Sequence, residues 1–178
     1  MKSKVNVVSG DLTQTRCDAL ITAINSGGMW FGGIDGAIRR AAGNLFHNQV
    51  AQALPLKHGA TVVAKSNGKK HNGEFGNVVF VIDDLQCPLS EVLLNGLTTA
   101  SKAGFKSVAL PTIRMGVMLG VVEKSKEEAV GEMVGGVMRF LDENPQTSIE
   151  NITFVVYVDP DTEELLKDAF GEMPATHQ

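Results

Sequence analysis

Residues 25–43, Asn-Ser-Gly-Gly-Met-Trp-Phe-Gly-Gly-Ile-Asp-Gly-Ala-Ile-Arg-Arg-Ala-Ala-Gly, limit the chain's fold more than any other stretch. An apolar run over 19–24 reads as a strand and stops on Asn25. A glycine-studded loop follows, and Asp35 then stands in what reads as the first turn of a helix. Glycine lets a backbone approach a ligand closely, and a helix start presents unpaired N–H groups to an anion. Asn25 and Asp35, at the two ends of the loop, add a neutral hydrogen-bonder and a carboxylate. Such a combination suits a phosphate-and-sugar site with one catalytic acid or base.

The rest of the chain repeats the strand-to-helix alternation. Short apolar runs over 4–8, 18–24, 60–65, 77–82, 106–110 and 151–158 read as strands. Helical pattern covers 34–53, broken near Gly43 and Asn44, then 88–103, 123–141 and 161–170. The helix over 88–103 places Leu89, Val92, Leu93, Leu97 and Ala100 on one face and stops at Gly104. Residues 9–11 are a turn, 55–59 a connector, and the polar, basic 66–76 an exposed turn. Six strands alternating with helices predict an α/β protein with a mostly parallel, two-sided sheet in one domain over 1–171 and a frayed tail over 172–178. Ligands of such sheets bind beyond the carboxyl ends of the strands. A second glycine-bearing loop, 111–120, also follows a strand, so the two loops are expected to form one cleft.

Composition narrows the function. A net charge of −4 gives no bulk attraction to nucleic acid, and Lys65, Lys69 and Lys70 read as a solvated loop. Cys17 and Cys87 stand in unrelated contexts and read as buried free thiols, not a disulfide or a zinc pair. His47, His58, His71 and His177 have no ligand spacing, so no metal is expected. The start of the chain carries no signal-peptide core, and no apolar stretch approaches membrane-spanning length. The expectation is a cytoplasmic monomer without a cofactor.

These residues resemble the macrodomains, the ADP-ribose-binding α/β/α modules. Gly10-Asp11-Leu12-Thr13 stands for the family's Gly-Asp-Ile-Thr turn. Asp18-Ala19-Leu20-Ile21-Thr22-Ala23-Ile24-Asn25 matches its Asp-Ala-Ile-Val-Asn-Ala-Ala-Asn strand. Gly32-Gly33-Ile34-Asp35-Gly36-Ala37-Ile38-Arg39-Arg40-Ala41-Ala42-Gly43 supplies its glycine run, Val-Asp-Gly-Ala-Ile, basic pair and Ala-Ala-Gly. Residues 106–111 look like the strand leading into the second loop, and 152–167 like the closing strand and helix.

The resemblance implies a three-layer α/β/α sandwich with a mixed, mostly parallel sheet. It implies that Asp11, with Leu12 beside it, meets adenine. Backbone N–H groups of Gly32, Gly33 and Ile34 on one side and Met115, Gly116 and Val117 on the other would hold the diphosphate. Asn25 and Asp35 would face the distal ribose, beside Met118. In the family's hydrolysing branch that aspartate orients or activates water at the anomeric carbon without a metal. The activity implied is removal of mono-ADP-ribose from a modified acceptor. Its rivals are binding alone, hydrolysis of a small ADP-ribose ester or 1″-phosphate, and a closed cleft whose exposed aromatics bind a protein.

Several residues depart from the family pattern. Thr22 and Ile24 replace an asparagine and an alanine. Trp30 and Phe31 stand where small residues are common, as a flap over the ligand or a patch for a partner. The second loop reads Ile113-Arg114-Met115-Gly116-Val117-Met118-Leu119-Gly120, without the usual Ser-Thr pair and aromatic residue. Arg114 reads either as charge added to the diphosphate or as a solvated loop arginine. Asp11 has a plain alternative as a helix cap, Asp35 as a charge on the helix dipole, and Tyr157 as a strand-end core residue instead of a stacking partner for adenine. Met115 and Met118 pack on the ligand or simply fill space.

Overall fold

A computed structural model describes residues 3–27, 33–115 and 118–171, with the side chain of Asp35 outside that description. Its strands are β1 (Lys4–Ser9), β2 (Cys17–Ile24), β3 (Thr61–Lys65), β4 (Phe75–Ile82), β5 (Ser107–Leu110) and β6 (Asn151–Val156). The helices are α1 (Gly33–Ala42), α2 (His47–Ala53), α3 (Leu89–Lys102), α4 (Lys126–Glu143) and α5 (Pro160–Gly171), with a 3-10 turn over Leu12–Gln14. The strands form one sheet in the order β1-β6-β5-β2-β4-β3. Every neighbouring pair is parallel except β3 with β4.

Alternation along β2 creates the layers. Ala19, Ile21 and Ala23 face a core shared with α3, α4 and α5, while Leu20 and Ile24 face a second core under α1 and α2. β4 divides the same way, Val79 and Val81 toward the first core and Val78, Phe80 and Ile82 toward the second. Near-continuous apolar strands are what a sheet covered on both faces requires. The expected three-layer α/β/α sandwich is the fold observed.

Helix limits follow local chemistry. Ser125 caps α4 by accepting from the Glu128 N–H at 3.1 Å, so the helix begins at Lys126 and not at 123 as its apolar pattern suggested. Asp159 caps α5, accepting from the Thr162 hydroxyl at 2.6 Å, with Pro160 in the first helical position. Two strand limits differ from the sequence reading by two residues. Phe75 opens β4 instead of lying in an exposed turn, because its ring buries against Phe46 and His71. β6 ends at Val156, and Tyr157 and Val158 lie beyond it, with Val158 at a φ of 47°.

Helices α3 and α4 approach closely at Gly136. A Cβ there would stand 2.6 Å from the Ser90 carbonyl oxygen and 3.1 Å from the Leu93 Cβ. Gly136→Ala is expected to force the helices apart and cost about 1–3 kcal/mol. On Gly135, a Cβ would meet nothing within 4 Å. Gly135→Ala should therefore gain about 0.5–1 kcal/mol through helix propensity. Urea midpoints moving in opposite directions at these adjacent positions check both.

Candidate functional site

The strands that neighbour one another as β1, β6, β5 and β2 all run parallel, so their carboxyl ends share one edge. A cleft of about 450 Å³ opens there, within the usual range for small-ligand sites. Gly10, Asp11 and Leu12 line it from beyond β1, and Thr22 and Ala23 from β2. Ile34, Ala37 and Arg40 line it from α1. The loop after β5 contributes residues 111–115 and Met118, and Tyr157 and Asp159 come from beyond β6.

The turn after β1 is tied at both ends by hydrogen bonds. Gly10, at a φ of +152°, donates to the Val156 carbonyl at 3.0 Å, tying the turn to the end of β6. Asp11 then caps the 3-10 turn: its Oδ1 accepts from the Thr13 N–H at 2.9 Å and the Thr13 hydroxyl at 2.8 Å. Capping and cleft position are both realised, since Asp11 is exposed at the cleft while one carboxylate oxygen is held. Leu12 is buried beside it and lines the same end.

Asn25 follows β2 directly, and its Oδ1 accepts from the Gly27 N–H at 3.0 Å. Ser26 donates to Asp84 Oδ1 at 2.8 Å, and the Asp84 N–H donates to His58 Nδ1 at 2.9 Å. The beginning of the first loop is thus fastened to the chain beyond β4. Asp35 is the third residue of α1, two positions after Gly33. Gly32, Gly116, Val117, Trp30, Phe31, His177 and the tail over 172–178 lie outside the described residues.

Arg114 departs from both sequence readings. Its side chain is 1% exposed, neither solvated nor offered to a diphosphate. Its Nη2 donates to Asp83 Oδ1 at 2.7 Å and its Nε to Asp83 Oδ2 at 3.0 Å, a two-pronged pair. Its Nη1 donates to Glu123 Oε1 at 3.0 Å. Glu123 Oε2 also accepts from the Leu89 N–H at 3.0 Å, at the start of α3. Burial works against the charge on Arg114, and the hydrogen bonds and charges of Asp83 and Glu123 overcome it, holding the guanidinium pKa above its ordinary value. The triad fastens the second loop to β4 and α3, leaving Met115 and Met118 to face the cleft. Met115 is also buried in the core below, so it fills space there while lining the cleft.

Tyr157 is 76% exposed at the cleft rim, which sets aside the core-residue reading. Asp159 was missed in the sequence, although an aspartate directly before a proline at a helix start marks a cap. Burial disfavours its charge, but hydrogen bonds from Thr162 and Lys126 outweigh that and keep its carboxyl below the usual carboxylate range. Arg40 was passed over as half of a basic pair, though spacing by threes from Ile34 through Ala37 put it on the cleft face. Thr22 was noted only as a departure; it is buried and lines the cleft floor.

The cysteines are thiols without an evident task. Burial, with the nearby charge of Asp18, pushes the Cys17 pKa up to about 12, far from a nucleophile's range. Burial also raises Cys87. Among the described residues no cluster of histidine, cysteine or carboxylate side chains could hold a metal ion, and no helix is long and apolar enough to cross a membrane.

Fold and site together define an α/β protein with a cleft at the carboxyl edge of its parallel strands, bordered by a capped aspartate and by α1. The Macro domain family model matches residues 21–129. The O-acetyl-ADP-ribose deacetylase of Enterobacter cloacae is 30% identical over 165 residues, which cover 88% of each chain. A Thermotoga maritima protein is 27% identical over 94% of this chain, which spans only 28% of that protein's length. The Trypanosoma brucei macrodomain solved with ADP-ribose superposes with a TM-score of 0.76 at 22% identity, covering 92% of this chain and 68% of that one, and so shares its fold. The chain belongs to the macro domain family.

Proposed function

We propose that the cleft binds ADP-ribose or a close derivative and that the chain hydrolyses mono-ADP-ribose from a modified acceptor. The observation that carries the reading is the cleft of about 450 Å³, with Asp11 and the start of α1 both on its border. Asp11 takes the adenine amino group through the carboxylate oxygen not used in its cap. Backbone N–H groups of Gly32, Gly33 and Ile34 hold the diphosphate with those of Met115, Gly116 and Val117, where a helix start favours an anion. Tyr157 covers adenine from the rim. Asn25 and Asp35 serve the distal ribose, with Met118 against it. A cytoplasmic setting, which keeps Cys17 and Cys87 reduced, completes the proposal.

One observation favours a second reading. The E. cloacae relative, at 30% identity over 88% of both chains, is named for deacetylating O-acetyl-ADP-ribose. A small ester of ADP-ribose would occupy the same cleft and use the same distal carboxylate, attacked at its acyl carbon instead of the anomeric carbon.

Calorimetric titration of the purified protein with ADP-ribose tests the shared step. Binding in the micromolar range is expected, on the order of −8 kcal/mol. Asp11→Ala should weaken it about tenfold through loss of a charge-assisted hydrogen bond. Gly33→Glu, which sets a carboxylate at the phosphate end, should weaken it further. Saturable binding that neither substitution disturbs would place the ligand elsewhere. Protein-linked and acetylated substrates then separate the two hydrolytic readings.

A further inference from the structure

Among the described residues, Arg40 lines the cleft with a charged side chain for which the fold supplies no partner. Four described cations have carboxylate partners: Arg114 with Asp83 and Glu123, Lys126 with Asp159, Arg139 with Glu143, Lys167 with Glu163. No hydrogen bond or ion pair joins the Arg40 side chain to any described residue. It is exposed, yet it lines the cleft with Ile34 and Ala37 of the same helix. Its neighbour Arg39 borders a different depression, beside Asn44 and His47 near α2. The basic pair is therefore split, and one arginine is committed to the cleft.

Its guanidinium does not extend away from the helix. Nη1 lies 3.1 Å from the point a Cβ on Gly36 would occupy, so the side chain folds back along α1 to the first turn. The missing side chain at Gly36, four residues earlier, provides the room. The guanidinium thus converges with the amino-terminal end of α1, where backbone N–H groups already favour negative charge. Two carboxylates also border the cleft, Asp11 and Asp159. Each has its own partners, Thr13 for the first and Thr162 and Lys126 for the second.

We infer that Arg40 is the cation that reads the ligand's diphosphate, making the cleft select anionic adenine nucleotides over neutral adenosine. The inference rests on the proposed ADP-ribose reading, and it adds a side-chain charge to a phosphate site otherwise built from backbone. A guanidinium suits the task because its planar donors address two phosphate oxygens at once. An exposed arginine whose side chain has no partner among the described residues contributes little to the fold, so its removal should leave stability intact.

The test titrates ADP-ribose, ADP and adenosine into the wild-type protein, Arg40→Gln and Arg40→Lys, with thermal melting of each variant. Arg40→Gln should weaken ADP-ribose and ADP about tenfold, the usual scale for a hydrogen bond to a charged group. Adenosine should change less than about twofold, and the melting temperature should hold. Arg40→Lys should recover part of the loss, and the salt dependence of ADP binding should be shallower in Arg40→Gln than in the parent. Equal losses for ADP and adenosine, or no loss for either, overturn the inference. Wild-type protein that binds ADP but not ADP-ribose removes the ADP-ribose reading and leaves the comparison on ADP intact. Wild-type protein that binds neither overturns both.

Discussion

Arg114→Met is expected to destabilise the protein by roughly 3–5 kcal/mol, the usual cost of removing one partner from a buried ion cluster. For a domain of this size that corresponds to about 10–15 °C in melting temperature. The side chains of Arg114, Asp83 and Glu123 are 1%, 0% and 3% exposed, so the two carboxylates would be left charged and dry. Methionine fills much of the arginine stem's volume, which makes the lost charge, and not a cavity, the dominant effect. A triple variant, Arg114→Met with Asp83→Asn and Glu123→Gln, should recover a large part of the loss. Its amides can still accept from the Leu85 and Leu89 N–H groups, as the carboxylates do at 2.9 and 3.0 Å. The effect should also reach the cleft. Arg114 sits at a φ of 66°, an uncommon value for a residue with a side chain, and the triad is what holds it there. Releasing it loosens residues 112–115, which line the site. A melting temperature within about 2 °C of the parent would show that the triad does not carry the second loop.

That triad also marks where the sequence stopped being legible. Strand and helix identities could be read because each depends on neighbours within a few residues. β2, for example, had to be a strand with apolar residues on both faces. The strand–glycine–helix unit around Asn25 and Asp35 was equally local. Arg114 was different, because its partners lie 31 residues before it and 9 after it. No periodicity links such positions, and a loop arginine with distant carboxylates has the same local signature as a solvated one. Phe75 was misplaced for a similar reason: its glycine-rich surroundings, His71 included, read as turn, while the ring of Phe46 that helps bury it comes from the segment before α2. Arg40 was legible in principle, since three-residue spacing from Ile34 follows from helix geometry alone. What could not be read was the fold-back over Gly36 that brings its charge to the first turn.

Asp35→Ala should lower the turnover of an ADP-ribosylated acceptor by about 10²- to 10⁴-fold, the range for loss of a general acid or base. ADP-ribose affinity should fall less than about tenfold, because adenine and diphosphate contacts remain. The expectation follows from position: Asp35 is the third residue of α1, at the end of the helix proposed to hold the diphosphate. In the proposed step the carboxylate orients a water, whose oxygen forms a bond to the anomeric carbon. The water's proton passes to the carboxylate as the bond from that carbon to the acceptor breaks, and the departing acceptor oxygen takes up that proton in turn. A carboxylate in the first turn also stabilises the helix dipole by about 0.3–1 kcal/mol, so a small stability loss accompanies either role. Turnover separates them. A dipole role predicts that Asp35→Asn behaves like a mildly destabilised parent, with full activity below its melting temperature. A catalytic role predicts that Asp35→Asn is as inactive as Asp35→Ala, since the amide is the right size but cannot accept a proton. Asn25→Ala, which removes a neutral hydrogen-bonder, should cost less than either. If Asp35→Ala keeps more than about a tenth of the parent rate on both protein-linked and acetylated substrates, Asp35 is not the group that activates water.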